Sequence, residues 1–148
     1  MGVCNGFQIL AEAGLVPGAL LHNTTRKFIC QNTYIKAATN NSLVTSSIDT
    51  NRALQIPIAH GEGKFYAAAD ALKAIEDKDQ VLFRYCDANG QVTDEANPNG
   101  SANNIAGVCN AGRNVFGMMP HPERAASAIV GNEDGLALFE SILSLVRH

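Results

Sequence analysis

The sequence has no excess of basic charge. Lys and Arg number 11 against 14 Asp and Glu, a net charge of -3, so neither a nucleic-acid backbone nor an anionic lipid surface is an expected partner. No apolar run approaches the ~18 residues that a membrane span requires. No basic segment followed by an apolar block marks a secretory signal, and a cytoplasmic location is expected. The four cysteines, Cys4, Cys30, Cys86 and Cys109, include no C-x-x-C pair, which argues against a zinc knuckle or a redox dithiol. Reduced thiols are expected, with Cys30, Cys86 and Cys109 buried in apolar strand-like runs. Internal repeats and low-complexity segments are absent.

What is present suits a globular core: 46% of residues are hydrophobic and 17% charged, over 148 residues. "NGFQILAEAG" reads as a short helix with Phe7, Leu10 and Ala11 on one stripe and Gly14 as its stop. "GALLHN" reads as a brief strand. "KFICQNTYIKAA" reads as a strand that alternates on Phe28, Cys30, Asn32 and Tyr34 and then slips to Ile35, with a bulge at the slip. A polar loop around a small apolar island follows, then a strand over 54–60 that ends in a glycine-rich turn. The segment "AAADALKAIEDKD" predicts a helix with Ala71, Leu72 and Ile75 inward. "QVLFRYC" predicts a strand, and "IAGVCNAGRNVFGMMP" a hairpin turning near Ala111-Gly112. The terminal segment predicts a helix whose inward stripe is Leu136, Phe139, Ile142, Leu143 and Val146. The mixture predicts a layered α/β domain, a mixed sheet with helices against it.

Two constellations carry chemistry. "GVCNG" places Cys4 between Gly2 and Gly6, the G-x-C-x-G pattern of a nucleophile elbow. Such a residue sits in a strained backbone conformation at a sharp strand-to-helix turn, so side chains at the flanking positions would collide with backbone. The helix that follows aims free N–H groups at the thiol, which favours thiolate and lowers its pKa. The N–H of Asn5 is placed to hold a developing oxyanion. Alone, the pentapeptide also fits an ordinary glycine-flanked cysteine. In "MMPHPER", prolines bracket His121 and bias Met119 and His121 toward extended geometry. His121 and Glu123 would then face one way. The carboxylate can accept one ring N–H and leave the other nitrogen free to take a proton from a thiol. A surface turn with a chance ion pair is the alternative. The zinc-deaminase pattern is excluded, because no cysteine follows position 109.

Together "GVCNGFQIL", "PGALLHN", "PIAHGEGKF", "NPNGS", "IAGV" and "GMMPHPER" closely resemble the glutaminase subunit of phosphoribosylformylglycinamidine synthase, a triad-type glutamine amidotransferase of purine biosynthesis. The resemblance runs from position 2 to about 124 and also fits the terminal helix. It implies a partial flavodoxin-like domain over 1–148, with Cys4 as nucleophile and His121 and Glu123 completing a triad. The implied reaction is hydrolysis of the glutamine side-chain amide through a glutamyl thioester. Ammonia then passes to a separate synthetase subunit, which uses ATP and Mg; no cofactor is implied for this chain. The absence of a G-x-x-x-x-G-K-[ST] loop agrees with ATP being the partner's substrate.

Gln8, one helical turn beyond Cys4, shares its face and could line the glutamine pocket. His60 in "AHGEG" is read as a pocket wall or a structural group. Arg26 and Asn23 are weaker candidates for meeting the substrate's carboxylate or amine, and Asn97, Asn99 and Ser101 are expected to shape a turn. Only Met1 to Val3 precede Cys4, whereas the resembled domain carries central strands and a second oxyanion donor before its cysteine. The expectation is an N-terminally truncated domain with exposed sheet edge and little activity alone. The alternatives are a catalytically inactive fragment that keeps a partner-docking surface, and an unrelated cysteine hydrolase on the same scaffold.

Overall fold

A computed structural model describes residues 1–146. A six-stranded sheet runs in the order β1 (Gly2–Val3), β8 (Phe116–Met118), β7 (Ile105–Cys109), β6 (Val81–Cys86), β3 (Ile29–Ala37) and β4 (Leu54–His60). Only the β1–β8 pair is parallel; the remaining neighbours are antiparallel. A small antiparallel pair, β2 (Ala19–Leu21) with β5 (Lys64–Tyr66), lies apart from it. The helices are α1 (Asn5–Glu12), α2 (Ala69–Asp77) and α3 (Leu136–Val146).

The sheet separates two apolar clusters. On one side Phe7 of α1, Ile75 of α2 and Phe65 of β5 meet Val81, Ile105, Val108 and Met119. On the other, Leu138 of α3 packs with Ile35, Leu54, Ile56, Ile58, Phe83 and Phe116. The loop between β3 and β4 contributes Val44 and Ile48 to this second cluster, so the apolar island in that polar segment is a core plug.

The expected elements are present, and four details differ. The bulge lies between β6 and β7, while β3 pairs with β4 in unbroken register from Ile29↔His60 to Ile35↔Leu54. The buried face of β3 is Thr33, Ile35 and Ala37, and Phe28 is 68% exposed; the apolar character of Phe28 and Cys30 suggests the opposite parity, and Cys30 is exposed rather than buried. In α2, Ile75 is buried and Ala71 is exposed. In α3, Leu138 and Ser141 are fully buried, whereas Leu143 is exposed. Ser141 is tolerated there because its hydroxyl bonds Ser47, at 2.7 Å between the two oxygens. The Val146 side chain lies outside the described residues. All four cysteines are free thiols.

The first and last strands of the order approach each other. Cys4, which follows β1, donates its thiol to the Ala59 carbonyl of β4 at 3.6 Å. The His121 N–H, beyond the end of β8, donates to the Pro57 carbonyl at 2.8 Å. The sheet is therefore curled, with the outer edge of β4 facing the ends of β1 and β8. Pro57 fits that edge because its missing donor falls where no ladder partner needs one.

Candidate active site

The elbow forms at the end of β1. Cys4 extends the parallel pairing by one bond, from its N–H to the Met118 carbonyl at 2.8 Å, and its own carbonyl accepts the first helical bond from Gln8. Between these two commitments its backbone is forced to φ 51, ψ -108, a strained region for a residue with a side chain. A Cβ at Gly2 would lie 2.6 Å from the carbonyl carbon and oxygen of Gly6, so the elbow can close this tightly only with glycine there. Gly6 differs from expectation: a Cβ at that position meets open space. The close approach is one-sided, with Gly2 as the intruder and the Gly6 backbone as the wall.

Burial pushes the Cys4 thiol above its ordinary pKa; the Asn5 N–H and the Arg124 charge draw it down, and Glu123 adds to the rise. The helix terminus acts in the expected direction, but desolvation outweighs it. The resting group is a neutral thiol that needs a base. Arg124 is a contributor that sequence reasoning missed; its place directly after the H-P-E triplet was the available signal.

His121 Nδ1 lies 2.6 Å from Glu123 Oε1, a hydrogen-bond contact. They do not meet in extended chain: residues Pro122–Ala125 form a 3₁₀ turn, and it is this turn that folds the carboxylate back onto the ring. A carboxylate can only accept, so Nδ1 carries a proton, and in the neutral ring Nε2 presents the lone pair. That Nε2 is buried and has no hydrogen-bond partner. His121 and Cys4 contact β4 at Pro57 and Ala59, carbonyls on the same edge separated by about 7 Å of extended chain. The structure thus brings Cys4, His121 and Glu123 to one corner of the curled sheet.

His60 ends the buried row Leu54, Ile56, Ile58 of β4 and is itself 3% exposed. Its Nδ1 lies 3.0 Å from Asn23 Oδ1. Asn23 is not free to meet a substrate: its Nδ2 donates to the carbonyls of Lys27 and His60, both at 2.8 Å, and its Oδ1 also accepts the Gly63 N–H at 3.1 Å. The expected turn residues support the same loop. Asn97 Oδ1 accepts from the N–H groups of Gly100 and Ser101, and Asn99 Nδ2 donates to the Gly63 carbonyl at 2.9 Å. This buried network joins residues 23, 60, 63, 99 and 101, and no local motif announces it.

Gln8 Nε2 donates to the Glu62 carbonyl at 2.7 Å. With Asn5 and Glu62 it lines a cavity of about 390 Å³ beside the elbow. A neighbouring groove of about 830 Å³ runs past His22, Asn23, Arg26 and Lys64. Neither is lined by Cys4 or His121, so both spaces flank the corner that holds these two residues. Among the described residues no cluster of three or more His, Cys, Asp or Glu side chains could hold a metal ion, and no helix is long and apolar enough to cross a membrane.

Comparison with known proteins agrees with the fold. The phosphoribosylformylglycinamidine synthase subunit PurQ of Chlorobium luteolum is 51% identical over 142 residues, 96% of this chain and 62% of that protein. PurQ of Aquifex aeolicus is 51% identical over 144 residues, 97% of this chain and 63% of that protein. The structure of PurLQS from Thermotoga maritima superposes with a TM-score of 0.83 at 42% identity, covering 99% of this chain and 61% of that one. The chain thus spans about three fifths of the length of the relatives it matches. Residues 1–135 match the model of the CobB/CobQ-like glutamine amidotransferase domain, and the chain belongs to that family.

Proposed function

We propose that this chain hydrolyses the side-chain amide of glutamine and supplies the ammonia to an ATP-dependent phosphoribosylformylglycinamidine synthase in purine biosynthesis. The observation that carries the reading is the corner where the strained Cys4 thiol and the Glu123-held His121 meet one edge of β4. Relatives named as PurQ at about half identity support the substrate and the pathway.

The chemistry follows from the protonation states. His121 Nε2 takes the thiol proton as Cys4 Sγ bonds the amide carbon. The Asn5 N–H holds the oxygen that becomes negative. His121 returns the proton to the leaving nitrogen, the C–N bond breaks, and ammonia and a glutamyl thioester result. Water, deprotonated by the same imidazole, then releases glutamate and restores the thiol. Glu123 fixes the ring and stabilises its positive charge. Asn5 and Gln8, which line the cavity beside the elbow, and His60 are assigned to holding the substrate. ATP and Mg belong to the synthetase subunit, the expected protein partner, and the compartment is the cytoplasm. No observation favours the alternative of an inactive docking module.

The test is glutamate release by the chain, alone and with the synthetase subunit, alongside labelling by a glutamine-analogue alkylator. Turnover and Cys4 labelling that both vanish in Cys4→Ala support the reading. A folded chain that neither turns over nor labels in either state refutes it.

A further inference from the structure

His60 is a buried imidazole that takes no part in the proton transfers of the hydrolysis. Asn23 fixes its tautomer. The Asn23 Nδ2 faces two carbonyls and its Oδ1 faces the Gly63 N–H, so the amide can point only one way. Asn23 Oδ1 is therefore an acceptor and His60 Nδ1 carries a hydrogen, which in the neutral ring leaves His60 Nε2 a bare acceptor. The ring cannot turn away. A Cβ at Gly63 would lie 2.2–2.5 Å from His60 Cε1, Nδ1 and Nε2, so the Gly63 backbone lies flat against it. No protein group donates to Nε2, although the atom is buried. Such an orphan is costly and demands an explanation.

Its location supplies one. His60 directly follows Ala59, whose carbonyl holds the Cys4 thiol, and it lies near enough to His121 that a positive charge there would lower its pKa. The two groups nearest the chemistry cannot fill the role of donor. His121 Nδ1–H is taken by Glu123, and its Nε2 is an acceptor as well. A reactive corner with two acceptor imidazoles calls for a substrate that brings its own N–H groups.

Resting on the glutaminase reading, we propose that His60 is a specificity-determining residue: its Nε2 accepts an N–H of the substrate's side-chain carboxamide. A primary amide carries two such hydrogens on the nitrogen that must leave, and an ester of the same shape carries none. Holding one N–H on His60 turns the nitrogen lone pair, as the carbon becomes tetrahedral, toward the proton on His121. His60 transfers no proton. Burial lowers its pKa to about 4, so it leaves the departing ammonia unprotonated.

The test compares kcat/KM for glutamine and for its γ-methyl ester analogue, with the synthetase subunit present. In His60→Phe, which keeps a ring and removes the acceptor, the amide-to-ester ratio falls about 10–100-fold, the effect of one lost hydrogen bond. His60→Gln, whose side-chain oxygen can reach the Nε2 position, restores most of that ratio. Equal losses on amide and ester in both variants, with unchanged melting, overturn the proposal and make His60 structural. Should His60→Phe not fold, the ¹⁵N signal of His60 Nε2 in Cys4→Ala decides. An upfield shift with glutamine and none with the ester supports the proposal; the same response to both refutes it. A wild-type complex that turns over neither substrate refutes the glutaminase reading, and this proposal falls with it.

Discussion

The two buried histidines of the reactive corner are built to one plan with one difference. Each bonds through Nδ1 to a side-chain oxygen, and each leaves a buried Nε2 without a partner. His121 is held by a carboxylate, His60 by a neutral amide. A carboxylate fixes the ring and also stabilises the charge the ring gains on taking a proton; an amide fixes the ring alone. Under the proposed reaction, the partner oxygen sorts two similar rings into a proton carrier and a neutral acceptor. Their supports differ too. His121 is held through its backbone, its N–H donating to the Pro57 carbonyl and its carbonyl accepting from the Arg124 N–H. His60 depends on side chains as distant as Asn23 and the 97–101 turn.

Glu123→Gln breaks the comparison most severely, because it gives His121 the kind of partner His60 has. Glutaminase kcat should fall about 10²–10⁴-fold, as when a triad carboxylate becomes an amide. The lower end is expected, since the Glu123 side chain is half exposed and solvent already shares its work. Steady-state glutamate release measures this, and a variant within threefold of wild type would show that the carboxylate has no role.

The same contrast explains what could be read from the sequence. Cys4, His121 and Glu123 lie in two short motifs whose geometry is local, so residue order was enough to nominate them. Even so, the 3₁₀ turn was hidden, because prolines around His121 signal extended chain equally well. The desolvation that raises the Cys4 thiol was hidden as well, because burial depends on Ala59 and the curled sheet rather than on the helix beside it. The clamp on His60 joins residues separated by 36 to 40 positions, and no spacing rule finds that. Around the start of β3, Phe28 and Cys30 are apolar yet exposed, so alternation points to the wrong face and only the pairing with β4 corrects it.

The neutrality of His60 has a pH signature. An unfolded histidine binds its proton below about 6.5; in the folded chain burial delays this to about 4. Between those values the unfolded state holds more protons, so stability falls as pH drops from 6.5 toward 4 and is fully present above 6.5. The separation corresponds to at most about 3 kcal/mol. Urea melts of wild type and His60→Gln at pH 7 and pH 4.5 measure it. The variant should lose less stability across the interval, and identical losses would mean His60 does not resist protonation.

Gly63→Ala attacks the clamp from the other side. The new methyl must displace a ring that Asn23 holds in place, and overpacking of this kind costs about 1–3 kcal/mol. Thermal melting should show that loss, together with a lowered amide-to-ester ratio. Retention of both would mean that the loop yields at no cost.

The mildest change separates the two supports. The Ser101 hydroxyl accepts the Phe65 N–H at 3.0 Å and donates to Asn99 Oδ1 at 2.7 Å. Ser101→Ala leaves that buried N–H unpaired, at a cost of about 1–2 kcal/mol. The damage should stay on the His60 side, because Ser101 makes no bond to the segment carrying His121. The alkylation rate of Cys4 is then unchanged, while the amide-to-ester ratio drops severalfold as the 60–63 loop loosens. Equal slowing of alkylation and amide hydrolysis would show instead that the two histidines share one support, and that the separation between them is only apparent.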